Sequence, residues 1–194
     1  MQIIIRNAFR FFLLFLVLIS NVSFASGKLK ESQIYTKHLS KDSAIHVHLF
    51  STSEANLGNQ KFRDTADAMA KSAPHLLATD IVGALRHSGF TAVSLDETEG
   101  EPSEDSLNLT GRFTQLNPGS QNLRVWIGFG AGKSKVCLEG ELTDRNGVKL
   151  ADFADCRSGL GWGSSAPQGD KGAEILGEEI ARFLANWAEQ CSCS

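Results

Sequence analysis

The run Gly128-Phe129-Gly130-Ala131-Gly132-Lys133-Ser134 has the composition of a loop that cradles phosphate with its backbone amides. Its spacing rules that chemistry out. A nucleotide-binding P-loop keeps four residues between its first glycine and Gly-Lys-Ser, which would put that glycine where Ile127 stands. Such a loop also opens a helix whose N-terminal amides face the phosphate, whereas Lys135 to Glu139 alternates like a strand. The run reads as a glycine turn or bulge between two strands. His46 and His48 have the spacing of metal ligands, but they supply two where zinc takes three or four, and no third His or Cys is near in sequence. They read as an exposed strand face. The acids Asp96, Glu97, Glu99, Glu101, Glu104 and Asp105 lack the fixed spacing of a calcium loop and read as a solvated segment. Ser164-Ser165 has no Gly-x-Ser-x-Gly elbow around it. No catalytic, cofactor-binding or metal-binding residue is assigned, and no cofactor is implied.

Other residues have the chemistry of contact rather than catalysis. Trp162 stands between Gly161 and Gly163, an aromatic on a glycine-rich loop. With Phe129 and Lys133 it is a candidate for contact with a partner. The competing reading is that Trp162 covers one end of the sheet. Four cysteines, Cys137, Cys156, Cys191 and Cys193, allow three pairings. A two-residue turn at Asn146-Gly147 would face Cys137 with Cys156, but it also sets Glu141 opposite Asp152, which is unfavourable. A three-residue turn with Gly147 left-handed instead matches Leu142 with Leu150 and Leu138 with Ala154. A Cys137–Cys156 bond is therefore one expectation among these alternatives.

These residues need elements to hold them. Ala44 to Phe50 alternates Ile45, Val47 and Leu49 against His46, His48 and Phe50, a strand with one buried face. The main helix is expected to start near Ser72, with Pro74 in its first turn and Arg63 to Ser72 a separate helical piece. Leu77, Ile81, Ala84 and Leu85 share its buried face, and Gly89 ends it. Thr91–Leu95, Leu107–Phe113, Leu123–Ile127, Val136–Thr143 and Val148–Cys156 read as strands. A last helix over about Ala173–Glu189 carries Ile175, Leu176, Ile180, Phe183, Leu184 and Trp187 as its stripe. The fold class is α+β: a mostly antiparallel or mixed sheet of about five or six strands with two main helices packed on it. Gly27 to Lys41 reads as polar and loosely ordered.

The N-terminus addresses the chain for export. Arg6 and Arg10 precede an uninterrupted apolar run from Phe11 to Ile19, and Ser23-Phe24-Ala25 offers small residues for cleavage. The run is about half the length needed to cross a bilayer, so it reads as a signal peptide cleaved after Ala25. The expected organisation is a signal peptide over 1–25, a flexible segment over 26–43, one domain over 44–189 and a cysteine-containing tail over 190–194. The mature chain is then periplasmic or secreted, without a transmembrane span. Its net charge shifts from −3 to −5 once Arg6 and Arg10 are gone, which argues against nucleic acid and anionic membranes as partners.

Leu109-Thr110-Gly111-Arg112-Phe113, the stretch Leu123 to Val136 with its Gly-Phe-Gly-Ala-Gly-Lys-Ser run, and Leu142-Thr143-Asp144 followed by Asn146-Gly147 resemble the exported bacterial domain-of-unknown-function family 4410. The helix end at His87-Ser88-Gly89 fits the same layout. The resemblance covers about Ala44 to Trp187. It implies an α+β envelope protein, often lipoprotein-like, with no catalytic residues to carry over. This chain lacks a lipid-attachment cysteine after its signal, and its four cysteines are not part of the pattern. The expected function is a non-enzymatic binding or assembly module that contacts an envelope protein or wall component. The alternatives are a periplasmic enzyme with a site assembled from distant residues, or a small-ligand carrier, which needs an apolar pocket beside the sheet.

Overall fold

The structure is a computed structural model, and it describes residues 28–36, 38–96, 106–119, 134–158 and 168–191. Six strands form one mixed sheet: β1 (Glu31–Ile34), β2 (Ala44–His48), β3 (Val93–Asp96), β4 (Ser106–Asn117), β5 (Lys135–Thr143) and β6 (Lys149–Ser158). Their spatial order is β1-β6-β5-β4-β2-β3. β2 runs parallel to both β3 and β4, and the remaining pairings are antiparallel. Helices α1 (Arg63–His87) and α2 (Gln168–Cys191) pack against each other and cover one face of the sheet. This is the expected α+β architecture.

Period-two alternation decides which face is covered. Leu109, Phe113, Leu116, Val136, Leu138, Leu142, Ala151 and Phe153 point under the helices and are buried. From α1, Met69, Leu77, Ile81 and Leu85 meet them, and from α2 Leu176, Ile180, Leu184 and Trp187. α1 lies over β2, β3 and β4, and α2 lies over β5 and β6.

Several details depart from the expectations. α1 runs unbroken from Arg63 through Pro74 instead of starting near Ser72. A proline inside a helix costs about 3 kcal/mol. Ala66, Met69, Ala73, Pro74 and Leu77 are all buried on one side, so packing on the sheet holds both halves in line. Ser72 Oγ donates to the Ala68 and Met69 carbonyls just before the proline. The helix does end at Gly89, whose φ of 91° suits the left-handed cap. There Gly89 N–H bonds Arg86 O and Phe90 N–H bonds Leu85 O.

The segment expected to be loosely ordered holds β1, anchored by buried Leu29 before it and Leu39 after it. Phe50 is buried with Ile45 and Val47 rather than facing away from them, because β2 ends at His48 and alternation lapses there. Its ring fills the space above Gly111, where a Cβ would sit 2.3 Å from Phe50 Cε2. It lies 6.5 Å from Phe153, stacked, and 6.4 Å from Phe113, edge-on. The signal segment, the acidic stretch 97–105, the expected strand 123–127, the glycine run 128–132 and the tail beyond 191 lie outside the described residues.

Candidate functional site

The face of the sheet opposite the helices has no element packed on it among the described residues. Alternation places Thr110, Arg112, Glu139, Glu141, Asp152 and Ala154 on it, joined by Glu31 and Gln33 of β1. A shallow groove of about 970 Å³ crosses this face. Charges in and beside it are held in two fixed sets. In the first, Arg112 bonds Glu139 at 2.7 Å on the neighbouring strand and also pairs with Glu54. Glu54 is in reach because residues 51–56 continue alongside β4 beyond the end of β2, with Ser51 bridged to Arg112 and Asn56 to Gln115. In the second, Lys149 Nζ lies 2.9 Å from Glu141 and 3.4 Å from Asp152. The Tyr35 hydroxyl donates to Asp152 at 2.8 Å, and accepting that bond makes Asp152 hold the Tyr35 proton above the usual phenol range.

The hairpin between β5 and β6 combines features of both expected registers. Gly147 is left-handed, at φ 76°, as the longer turn requires. Thr143 pairs with Lys149 next to the turn, and then a bulge shifts the ladder so that Leu142 pairs with Ala151. From there Glu141 faces Asp152 and Cys137 faces Cys156, whose sulfurs are bonded. The pairing of Leu142 with Leu150 does not form. The like-charge clash that argued against this register is relieved by Lys149, which sits between the two acids.

His46 and His48 share the uncovered face, as their spacing predicts. His46 Nδ1 is 3.2 Å from Ser94 Oγ, and His48 Nε2 is 3.0 Å from Asn108 Oδ1, so each ring is engaged by a neighbouring strand. Among the described residues no group of three or more His, Cys, Asp or Glu gathers as a metal site. Trp162, Phe129 and Lys133, the candidate contact residues, lie outside the described residues. Two arrangements were not read from sequence. One is the charged rows just described, which needed the strand register to become visible. The other is Arg157, which joins Asp155 at 2.8 Å and Glu179 of α2 beneath the sheet. Asp155 and Glu179 are both buried. No described helix is long and apolar enough to cross a membrane.

Among curated proteins, none matches the chain. Solved structures of similar shape include the PelC dodecamer from Paraburkholderia phytofirmans, with a TM-score of 0.49 and 14% identity over 78% of this chain and 95% of that one. A single-residue variant of the same dodecamer gives the same values. An uncharacterized protein follows at TM-score 0.40 and 14% identity, over 80% of this chain and 95% of that one. The pattern of one protein family matches residues 34–163, which span β2 to β6 and the hairpin with its bonded cysteines. By that match, the chain belongs to the family described as Domain of unknown function (DUF4410).

Proposed function

We propose that the protein is an exported, non-enzymatic binding module that docks a protein of the cell envelope on the uncovered face of its sheet. One observation carries this reading: the face presents charges joined in ion pairs across neighbouring strands. Glu54–Arg112–Glu139 and Glu141–Lys149–Asp152 are already paired, so docking on them loses less side-chain freedom than docking on unpaired chains. Acids outnumber bases across these two sets, four to two, which favours a partner with a basic surface. Pairing of Cys137 with Cys156 supports an oxidising compartment. The N-terminal apolar run supports export with cleavage after Ala25. Trp162, Phe129 and Lys133 are offered as further contact residues on the chemistry of their types alone.

Crosslinking in the native cell, followed by purification and mass spectrometry, tests this reading. The expected result is one stoichiometric protein partner, lost when Glu139→Lys and Glu141→Lys reverse the charge of the face. Capture that is indifferent to the reversal, or turnover of a wall or nucleotide substrate by the purified protein, would overturn it. N-terminal sequencing of the exported chain checks the cleavage, with Ser26 expected first.

A further inference from the structure

The two outer strands of the sheet, β3 and β1, finish their open edges differently. At β3, Ile45 N–H bonds Ala92 O, so Val93, one residue on, turns its backbone groups outward. Arg86 of α1 covers that outward Val93 carbonyl with two bonds, at 2.6 and 3.1 Å. Cover of this kind blunts an edge against pairing with another chain. At β1, Tyr35 N–H bonds Leu150 O, so Glu31, Gln33 and Tyr35 turn their backbone groups to β6. Ser32 and Ile34 turn theirs outward, and among the described residues nothing pairs with them there. β1 has neither a proline nor a bulge to protect it. α2 packs on β5 and β6, and a cavity of about 470 Å³ opens between it and β1. The helical layer thus stops short of this edge and leaves it open to another strand. Ile34 and Tyr35, on or next to β1, are two of the three large apolar side chains exposed among the described residues.

We propose that β1 pairs with β1 of a second copy of this chain, antiparallel about a twofold axis at Gln33, so that two sheets become one. The extended segment runs from Glu31 to Tyr35, and Gln33 is its centre. Pairing about that centre sets the outward backbone groups of Ser32 against those of Ile34 in the second copy, and the reverse. Gln33 meets Gln33, and Glu31 meets Tyr35, so no like charges stand opposite each other. Ile34 lies diagonal to Ile34 of the second copy, within reach of contact, which covers both exposed side chains. The strand is therefore complementary to itself, and this favours a second copy over an unrelated strand. The contact uses the backbone of β1 and not the paired charges of the proposed docking face, so either assignment can fail without the other.

Sedimentation equilibrium of the purified protein from about 1 μM to 1 mM, the span of moderate to weak affinities, tests it. A single strand edge is a small contact beside the roughly 1,200–2,000 Å² of stable interfaces, so a reversible monomer–dimer equilibrium is expected. Ser32→Pro removes an outward N–H and leaves the ladder to β6 intact, so it should fold and stay monomeric throughout. Ile34→Lys should do the same, by setting like charges against each other and against Lys30 of the second copy. Circular dichroism checks the folding of each variant. The axis is tested with Cys191→Ser and Cys193→Ser in place and oxidised glutathione as oxidant. Gln33→Cys should then give a disulfide-linked dimer, because position 33 faces itself at the closer antiparallel spacing. Glu31→Cys should not, because its two copies lie about 13 Å apart along the strands. The proposal is overturned if the parent is monomeric at every concentration. It is also overturned if folded Ser32→Pro or Ile34→Lys associates like the parent, or if Glu31→Cys links as readily as Gln33→Cys.

Discussion

Tyr35 and Asp152 are joined across the edge of the sheet by a 2.8 Å hydrogen bond, although 117 residues separate them in sequence. This bond ties the edge strand to β6. Tyr35 is the one tyrosine in the chain, so its phenolate absorbance can be followed without interference. The bond to Asp152 is the main cause that raises its pKa, with its slight burial and the nearby negative charge adding to it. A folded-state pKa above the unfolded one means that the bond contributes stability below the unfolded value of about 10 and loses it as pH rises through the folded value. Spectrophotometric titration should give a midpoint above that of free tyrosine. Asp152→Asn should bring it down, and an unchanged midpoint would refute the assignment.

The disulfide closes the hairpin at its far end, with Cys137 and Cys156 separated by 19 positions in sequence. Loop-entropy arguments give about 3 kcal/mol for a loop of this order. Replacing both cysteines with alanine should lower the free energy of unfolding by that amount, and adding reductant to the parent should do the same. Intact-mass analysis after alkylation without reductant should leave these two sulfurs unmodified.

Gly111 and Gly140 are directly paired on β4 and β5, and each has a phenylalanine ring over it. A Cβ on Gly111 would lie 2.5 Å from the Glu139 carbonyl as well as against Phe50, and one on Gly140 would lie 2.7 Å from Phe153. Overpacking of this kind costs about 1–3 kcal/mol. Gly111→Ala should therefore destabilise the protein by that amount in equilibrium unfolding. Phe50→Leu in the same chain should recover part of the loss, because it shortens one of the two obstructing groups.

How much of this was legible in the sequence depends on range. Elements fixed by local pattern were readable: the cores of β4, β5 and β6, the apolar stripe of α2, and the stop at Gly89. β1 was not, because four exposed residues on a sheet edge carry no alternation of burial to read. The continuity of α1 through Pro74 was hidden because burial along the whole face outweighs local propensity. The sequence carries the signals for both the glycine turn and the disulfide register, but their coexistence needs the bulge after Leu142, and bulges leave no clear mark in a short hairpin sequence. The charged rows depend on which strands become neighbours. Arg112 meets Glu54 and Glu139 only after β4 is placed between β5 and the 51–56 segment. The cavity under β1 was equally out of reach, since it is defined by where the helical layer stops.

Asp80 on α1 faces α2, and its pKa is raised by burial first and then by Glu174 and Glu178. Here the sign is opposite to that of a paired acid. The folded state holds the proton more tightly than the unfolded chain, so ionised Asp80 opposes folding at neutral pH. That penalty fades as pH falls through the raised folded value. Asp80→Asn should raise the melting temperature at neutral pH, and its advantage should shrink as pH falls through the raised folded value, where the parent carboxyl takes up its proton. An advantage that is constant across pH would mean that packing, not charge, is responsible.

Arg157 is the last case, and the largest effect is expected there. It balances Asp155 and Glu179, which are 2% and 7% exposed, and thereby links β6 to α2 beneath the sheet. Removing one partner of a buried ion pair leaves an uncompensated charge and costs about 3–5 kcal/mol. Arg157→Met should cost this much at neutral pH in equilibrium unfolding, because two acids lose their shared cation. The triple change Arg157→Met, Asp155→Asn, Glu179→Gln should recover most of the loss, since it removes the charges together. If the triple variant is no more stable than Arg157→Met alone, the arginine acts through its packing rather than its charge. Cys156 adjoins this cluster, with its N–H bonded to Asp155 Oδ1 at 2.6 Å. Stability measurements on Arg157→Met should therefore be repeated under reducing conditions, and the two losses should add to less than their sum if the cluster also positions the disulfide.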